Sequence, residues 1–434
     1  MTFFKVAASL LVLLIAQVSS SQAGKPSKQL PPSAFKLISV QVSGTKRYKP
    51  EDVARGCGLQ LGQTVHDDDF KYAVGRLGET GAFADVTYSF DYSPEGTRLT
   101  LKVKDAEHFA PARFENLVWF SDQELLERLH AEVPLFNGEL PVTGPLADDV
   151  SQALQLLMDE KKIAAQVNYV RIAQGDGPTE AFVYSVAGPR ILIQHVEFSG
   201  ASLAEFPALE AAGKKLRGAE YERSAMRQQE NKSFLPIFLA RGYLKATLGD
   251  PVAKVSQSDQ DEVLVEVTFP VDPGPQYNLT GFEISGSKVI PADLLRQAVQ
   301  VKVSQPADAV EISKDAENMK SLYGMKGYMD ATIRIEPELD DSQHTARYRF
   351  IIREGDIFKM GDLEILGVDS HTKDRLQNNW TLLTGDTYNS GYTRRFVSQA
   401  LQEVLKTGEW DTDIQETLDR KDKTVDVILR FIAK

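Results

Sequence analysis

Cysteine, histidine and long apolar runs are scarce in this chain of 434 residues, and each scarcity excludes a class of protein. Cys57 is the only cysteine, so no disulfide can form within the chain. The 6 histidines are scattered, and the sequence contains no His-Glu-x-x-His, Gly-x-Ser-x-Gly or phosphate-loop motif. Beyond the first 18 residues, no stretch approaches the roughly 18 to 20 apolar residues that a membrane-spanning helix needs. These scarcities argue against an enzyme and against a transmembrane segment in the mature chain.

Clusters of lysine and arginine are lacking as well. The net charge is −12, and it becomes −13 if Lys5 is removed with an N-terminal signal. An acidic chain without a basic cluster is a poor partner for nucleic acid or for an anionic membrane surface. The hydrophobic share of 42% and the charged share of 25% are ordinary, so we expect a folded protein.

The N-terminus has the pattern of an export signal. Lys5 precedes an apolar run from Val6 to Val18, and Ser21-Gln22-Ala23 forms a small-x-small cleavage site before Gly24. We predict a cleavable signal at residues 1–23 and a linker at 24–34; an uncleaved N-terminal anchor is the alternative. Because Cys57 lies far from the cleavage site, a lipid-modified N-terminal cysteine is excluded. Export without disulfides favours a bacterial envelope, and we expect a periplasmic location.

Two glycine markers recur at a fixed stride. The first joins glycine to a nearby aromatic residue, at Gly81-Ala82-Phe83, Gly242-Tyr243, Gly327-Tyr328 and Gly408-Glu409-Trp410. The second ends a short strand-like run, at Gly44, Asn116, Gly200, Gly286 and Gly367, which lie 72, 84, 86 and 81 residues apart. A fixed stride predicts a repeated domain. The predicted units are residues 35–106, 107–188, 189–274, 275–355 and 356–434.

Each unit follows one predicted order of elements. An opening strand precedes a short helix, a longer amphipathic helix that ends at the glycine-aromatic marker, and two closing strands. If the first and third strands are parallel, they pair and leave the second strand at a sheet edge. The fold class is therefore α+β: a tandem array of about five small β-α-α-β-β modules, each a three-stranded mixed sheet covered on one face by two helices.

Two units depart from this order. The second is divergent, since Glu160-Lys161-Lys162-Ile163 stands where the glycine and the aromatic residue are expected. In the third, Pro236 lies inside the long helix and should kink it.

Several residues have a chemical interpretation beside a structural one. His66-Asp67-Asp68-Asp69 is a cation site or, as we prefer, the cap of a helix that begins near Phe70. Cys57 is a reactive thiol or, as we prefer, a small apolar residue that ends a helix. The aromatic residues Phe83, Tyr243, Tyr328 and Trp410 are stacking platforms or, as we prefer, plugs between helix and sheet. We therefore predict no catalytic residue, no metal and no cofactor.

The repeated order resembles the polypeptide-transport-associated (POTRA) domain over residues 35–434. The residues that carry the resemblance are Thr80-Gly81-Ala82-Phe83-Ala84-Asp85-Val86, Arg241-Gly242-Tyr243-Leu244-Lys245-Ala246, Ile284-Ser285-Gly286 and Lys326-Gly327-Tyr328-Met329-Asp330-Ala331. In that family the domains lie in the periplasm and precede an outer-membrane β-barrel that inserts or secretes other proteins. The resemblance implies that they bind client chains or accessory subunits, often by adding a strand to a sheet edge. Because the sequence stops at Lys434, we expect that this chain is not itself the pore.

The predicted function is a non-enzymatic periplasmic scaffold or chaperone-like module, associated with the outer membrane, in outer-membrane protein assembly or protein transport. Its predicted partners are polypeptide clients or an outer-membrane β-barrel protein, bound at two edge strands. The predicted binding residues are Ala246, Thr247, Leu248, Ala331, Thr332, Ile333, Arg334 and Ile335. The alternatives are an accessory subunit that docks on a separate barrel, a truncated barrel assembly factor, and an envelope hydrolase that uses the repeats for placement.

Overall fold

A computed structural model describes residues 30–175, 177–200, 207–259, 261–403 and 409–433. The predicted signal and residues 24–29 of the predicted linker lie outside these ranges, as does Gly408 of the first marker. Within the described ranges, no helix combines the length and the apolar character needed to cross a bilayer.

The described elements follow the predicted order in five successive modules. Module 1 comprises β1 (Leu37–Ser43), α1 (Pro50–Gly56), α2 (Asp67–Glu79), β2 (Phe83–Ser93) and β3 (Gly96–Asp105). Module 2 comprises β4 (Phe109–Phe114), α3 (Asp122–Glu132), β5 (Glu139–Pro141), α4 (Leu146–Glu160), β6 (Gln166–Ala173) and β7 (Thr179–Ala187).

The remaining three modules repeat the plan. Module 3 comprises β8 (Arg190–Ser199), α5 (Pro207–Lys214), α6 (Arg223–Gln229), α7 (Leu235–Leu239), β9 (Thr247–Leu248), β10 (Val252–Ser258) and β11 (Glu262–Asp272). Module 4 comprises β12 (Asn278–Ser285), α8 (Ala292–Gln297), α9 (Ala309–Gly324), β13 (Thr332–Asp340) and β14 (Thr345–Arg353). Module 5 comprises β15 (Lys359–Leu366), α10 (Ser370–Asn379), α11 (Ser390–Glu403), β16 (Trp410–Asp419) and β17 (Thr424–Ala433).

The third strand is central in each three-stranded sheet. The strand orders are β1-β3-β2, β12-β14-β13 and β15-β17-β16, and module 3 has the corresponding order β10-β11-β8. In module 4, Phe350 of the central strand pairs with Ile284 on the parallel side and with Ile335 on the antiparallel side. The prediction of a parallel first and third strand with the second strand at an edge is therefore confirmed, together with the α+β class.

The core of each module lies between its helices and one face of its sheet. In module 4 the predicted helix positions Ile312, Ala316 and Met319 are at most 5% exposed and pack with Tyr348 and Phe350 of the sheet. Spacing of three to four residues places these helix side chains on one face. Cys57 is buried at the end of α1, as predicted for a small apolar residue.

Modules 2 and 3 carry additions that the sequence pattern did not predict. In module 2 the link between the helices forms the short strand β5, so the sheet has four strands in the order β5-β4-β7-β6. In module 3 the expected kink at Pro236 takes the form of a π-helical turn over Glu230–Phe234. Proline has no N–H for the regular helical hydrogen bond. Just before Pro236 the helix takes up one extra residue in a turn, which is the π-helical geometry.

The edge strand of module 3 is broken. The sequence predicted one strand over residues 246–255, which is wrong, because β9 and β10 are separated by Gly249-Asp250-Pro251. Pro270 of β11 has no N–H to pair with this stretch, although its carbonyl accepts a 2.7 Å bond from the Gly249 N–H.

The chain divides into two compact units at a boundary inside module 2. The first unit holds residues 1–113, 123–157 and 169–183, and the second holds residues 114–122, 158–168 and 184–434. Modules 3, 4 and 5 lie wholly within the second compact unit.

Candidate partner-binding edges

Each sheet has two outer strands, and one of them is partly covered. The link between the two helices bridges the beginning of the opening strand, with the pairs Lys36–Thr64, Leu192–Glu220, Asn278–Pro306 and Lys359–Thr387. In module 2 the same cover is the strand β5. The second strand of modules 1, 3, 4 and 5 pairs only with the central strand in the described residues, so its other side is the open edge.

Pro337 fixes which backbone groups of β13 point outward. It pairs with Tyr348 in the antiparallel register, but it has no N–H to exchange with that residue. The ladder bonds must therefore involve its neighbours Glu336 and Glu338, since bonded and non-bonded pairs alternate. By the same alternation, the N–H groups of Ile333, Ile335 and Leu339 point away from the sheet. This edge offers three outward donors, with an interruption at Pro337.

The two faces of β13 differ in chemistry. Ile333 and Ile335 pack against the module core. On the opposite face, Arg334 lies 2.7 Å from Glu336, and Arg349 of the central strand contacts Glu336 at 3.2 Å and Glu338 at 3.0 Å. At the end of β13, the Ser342 hydroxyl and the Gln343 N–H lower the pKa of Asp340, which closes the hairpin. A partner strand at this edge would meet apolar groups on one face and mixed charges on the other.

The predicted binding residues fall at different places relative to these edges. Thr332, Ile333, Arg334 and Ile335 lie in β13, but Ala331 precedes the strand and is 1% exposed. Thr247 and Leu248 form β9, while Ala246 precedes it and is 8% exposed. The edge beyond them, β10, carries a bulge between Val255 and Gln257. The two predicted segments thus belong to separate modules, and both edges are irregular.

The strand-end marker meets the central strand. Gly286 has a φ of +84°, and a Cβ atom there would lie 2.2 Å from the Ile352 carbonyl oxygen. At the other three glycines of this marker an added Cβ atom would lie similarly close to a backbone carbonyl oxygen of the central strand: at Gly44 to that of Val103, at Gly200 to that of Val271 and at Gly367 to that of Phe431. All four glycines have a positive φ, whereas Asn116 at the equivalent position does not. There the side-chain amide donates to the Val186 carbonyl at 3.0 Å and its oxygen accepts from the Val186 N–H at 2.8 Å.

In modules 3 and 4 the glycine-aromatic marker is a Schellman helix end. In module 4 the Gly327 N–H donates to the Gly324 carbonyl at 3.2 Å, and the Tyr328 N–H donates to the Tyr323 carbonyl at 3.1 Å. The centroids of the two tyrosine rings are 6.2 Å apart. Gly242 and Tyr243 repeat this arrangement on Leu239 and Phe238. In module 1, Gly81 follows the end of α2 with a φ of +74°, and Phe83 is 6% exposed. Trp410 packs against the module 5 core, as expected of a plug.

Module 2 has the same helix end without glycine. Lys162 has a φ of +56°, its N–H bonds to Asp159 at 3.0 Å, and the Ile163 N–H bonds to Met158 at 3.0 Å. Module 2 is therefore divergent in sequence but not in the backbone geometry of this helix end.

Gly242 and Gly327 also take part in the joints from module 3 to 4 and from module 4 to 5. The Gly242 carbonyl accepts the Tyr277 N–H at 2.8 Å, and the Gly327 carbonyl accepts the Phe358 N–H at 2.8 Å. Tyr277 and Phe358 each precede the opening strand of the next module. Beside the first of these joints, Lys245 forms an ion pair of 2.6 Å with Asp341. The Lys245 ammonium and the Tyr277 hydroxyl lower the pKa of the Asp341 carboxyl.

The acidic run near Phe70 forms the first turn of a helix. Helix α2 begins at Asp67, and the His66 N–H donates to Asp69 at 2.7 Å. In the described ranges, no group of three or more His, Cys, Asp or Glu side chains is arranged to hold a metal ion.

Comparison with known proteins gives a family match at module 4. The POTRA family model, described as a surface antigen variable number repeat, matches residues 277–355. Over 405 residues the chain is 20% identical to the outer membrane protein assembly factor BamA of Nitratidesulfovibrio vulgaris, covering 90% of this chain and 50% of that protein. The chain thus spans about half the length of this curated relative.

Solved structures of low identity also match. A crystal structure of Haemophilus influenzae BamA POTRA3-5 is 17% identical, with a TM-score of 0.47 over 57% of this chain and 97% of that one. The POTRA1-3 region of Omp85 from Anabaena is 17% identical, with a TM-score of 0.25 over 57% of this chain and 97% of that one. The family match covers module 4 from the residue before β12 to just beyond β14. The chain therefore contains a POTRA domain at residues 277–355, and modules 1 and 5 repeat the strand order of that domain.

Proposed function

We propose that the chain is a non-enzymatic periplasmic scaffold that binds extended polypeptides by strand addition, in outer-membrane protein assembly or protein transport. The predicted export signal and the BamA relative support the location and the process. Its partners would be client polypeptides or an outer-membrane β-barrel protein. Such a scaffold needs an exposed row of backbone donors and acceptors rather than a catalytic cluster.

The open edge of the second strand carries this proposal. In β13 the outward N–H groups of Ile333 and Ile335 stand two residues apart, the spacing at which an added strand pairs. We propose Thr332 to Ile335, with Ala331 at their start, as one binding segment, and Ala246 to Leu248 as a second. Because backbone groups give most of the affinity, such an edge tolerates many partner sequences.

Substitution of Ile333 by proline tests the proposal. Proline removes one outward N–H but leaves the inward ladder bonds of Thr332 and Arg334, so the module should keep its far-UV circular dichroism. Loss of one backbone hydrogen bond should weaken the binding of a fluorescently labelled, unfolded outer-membrane protein fragment by about tenfold. The readout is fluorescence anisotropy with the full chain.

Pro337 offers the opposite variant as a control. Pro337→Ala restores an outward N–H at the interruption of the same edge, and it should tighten binding of the same fragment. If both variants bind the fragment as the wild-type chain does, strand addition at module 4 is refuted.

A further inference from the structure

We propose that module 1 binds, at the open edge of β2, an extended polypeptide segment with aromatic or β-branched side chains at alternate positions. The proposal rests on strand addition, the proposed function, and assigns it to a particular edge and a particular class of partner sequence. Three observations carry it: the regularity of β2, the direction of its backbone groups, and the row of aromatic side chains on one of its faces.

The open edge of β2 is long and regular. After an irregularity between Phe83 and Asp85, nine consecutive residues from Asp85 to Ser93 pair with β3 without a break. This stretch contains no proline. By contrast, β13 is interrupted at Pro337 and β10 carries a bulge. Since strand addition needs a continuous backbone edge, β2 is better suited to it than either of them. The edge strand β16 of module 5 is also unbroken, over Trp410 to Asp419, so the aromatic row is what distinguishes β2 from it.

Alignment of modules 1 and 4 shows which β2 backbone groups point outward. Asp105 and Glu354 occupy equivalent positions, because each carboxylate accepts two backbone N–H groups from the turn after the opening strand. The residues before them, Lys104 and Arg353, pair with Asp85 and Thr332. Counting forward from these pairs, Phe90 takes the position of Pro337. Its N–H is thus directed outward, as are those of Val86, Tyr88 and Tyr92.

Three of the residues whose N–H groups point outward carry aromatic side chains, and these side chains form a row on the helix-covered face of the sheet. Tyr88, Phe90 and Tyr92 are half-buried, with ring centroids 6.2 Å and 5.0 Å apart along the row. Phe70 of α2 supports the middle ring at 4.9 Å. The corresponding residues of module 4 are Ile335, Pro337 and Leu339. A row of three rings is therefore a property of module 1 and not of the shared fold.

The row defines the chemistry of the partner. A strand added at this edge would place every second side chain directly opposite Tyr88, Phe90 or Tyr92, at about 4.5 to 5.5 Å between Cβ atoms. Aromatic and β-branched side chains pair best with aromatic residues across neighbouring strands. A second copy of this chain is the competing occupant, since two β2 edges can also pair.

Binding of two labelled octapeptides to the full chain tests the assignment. One peptide alternates tyrosine or phenylalanine with threonine, and the other has the same composition with its aromatic residues adjacent. The alternating peptide should bind about tenfold more tightly, because adjacent aromatic residues face opposite sides of a strand. Hydrogen exchange should then slow in residues 85–93 and not in module 4.

Three variants separate the backbone from the side chains. Phe90→Pro removes the central outward N–H together with the middle ring, and Tyr88→Ser removes one ring while keeping the backbone. Tyr88→Ser should weaken binding about tenfold, and Phe90→Pro should weaken it further by the loss of a backbone hydrogen bond. Tyr72→Ser is the control, because Tyr72 is 75% exposed on α2 and lies outside the edge; its binding should be unchanged. Because Tyr88→Ser keeps the backbone of β2, weaker binding by this variant cannot be due to a local folding defect caused by proline.

The outcomes distinguish this proposal from the proposed function. If Phe90→Pro weakens binding while Tyr88→Ser and the peptide pattern have no effect, the edge binds but the aromatic selectivity is refuted. If binding responds to Ile333→Pro and not to Phe90→Pro, module 4 is the site and this assignment fails while the proposed function stands. A dimer in sedimentation that disappears in Phe90→Pro would identify a second copy as the occupant and would overturn the assignment.

Discussion

At the end of each opening strand, one residue has to pass close to the backbone of the third strand. A Cβ atom would lie 1.9 to 2.4 Å from a carbonyl oxygen at Gly44, Gly200, Gly286 and Gly367. Module 2 places Asn116 there, and its amide pairs with both backbone groups of Val186. The same position is thus filled either by removing the side chain or by using it as a hydrogen-bonding partner.

Substitution of Gly286 by alanine should destabilise module 4 by more than about 2 kcal/mol, since the added carbon overlaps a backbone oxygen and the φ is positive. The measurement is hydrogen exchange in the full chain, of β12 and β14 for this variant and of β15 and β17 for its control in module 5. Gly385→Ala is the control, because Gly385 has a φ of +91° with no atom within 4 Å of an added Cβ, so it carries the backbone strain alone. Equal losses in the two variants would refute the carbonyl contact.

Replacement of Lys162 by glycine should increase the stability of module 2. A non-glycine residue in the left-handed region costs about 1 to 2 kcal/mol, so Lys162→Gly should stabilise module 2 by up to about 1 kcal/mol after the loss of chain entropy. Lys161→Gly should instead destabilise, because Lys161 donates to the Trp119 carbonyl at 3.1 Å and stacks on Phe120. Thermal unfolding of the two variants gives the signs, and a loss in both would contradict the assignment.

At the scale of elements, local patterns predicted what local forces decide. Spacing of apolar residues identified the long helices, and the glycine stride identified their ends. The strand β5 was not predictable in this way, because it forms only by pairing with β4. The break after β9 does have a local signal, since Gly249-Asp250-Pro251 lies between β9 and β10. Pro337 inside a predicted strand is a further local signal: a residue without an N–H fits a strand only where its nitrogen points away from the sheet, and hence indicates an edge. The candidate edges were predictable as elements, but their regularity needed the register.

Carboxylates after the third strand connect the elements of a module. The Glu354 carboxylate accepts from the Lys288 and Val289 N–H groups at 2.6 and 2.7 Å and from the Tyr323 hydroxyl at 3.0 Å. Desolvation alone would raise the pKa of Glu354, but these three donors together lower it. A lowered pKa in the folded state means that the stabilisation is present above the ordinary value of about 4.3 and is lost as the pH falls through the folded value.

The Glu354→Gln variant should therefore lower the melting temperature near pH 7 and flatten its fall below about pH 4.3. Differential scanning calorimetry of the full chain between pH 3 and 7 measures both effects. Glu283→Gln changes an exposed carboxylate on β12 of the same module and serves as the control. A wild-type acid profile in Glu354→Gln would rule out this carboxylate as a source of the pH dependence.

At the scale of the whole molecule, the helix-end marker has a second role. Gly242 ends a helix of module 3 and also bonds to Tyr277 at the start of module 4, and Gly327 does the same toward module 5. One backbone position therefore connects the fold of a module to its attachment to the next. This explains why the glycine recurs with the stride of the modules themselves.

Substitution of Gly242 by alanine should loosen the joint between modules 3 and 4, since a Cβ atom would lie 2.6 Å from the Tyr277 carbonyl oxygen. A zero-length carbodiimide crosslink between Lys245 and Asp341, whose charged atoms lie 2.6 Å apart, reports on this joint. Its yield should fall several-fold in Gly242→Ala, while the crosslink of Lys423 with Asp356, 3.1 Å apart, should be unchanged. Gly218→Ala has a similar positive φ in module 3 without a contact for the added carbon, so it separates backbone strain from the joint. An unchanged Lys245–Asp341 yield in Gly242→Ala would show that this glycine ends the helix without holding the modules together.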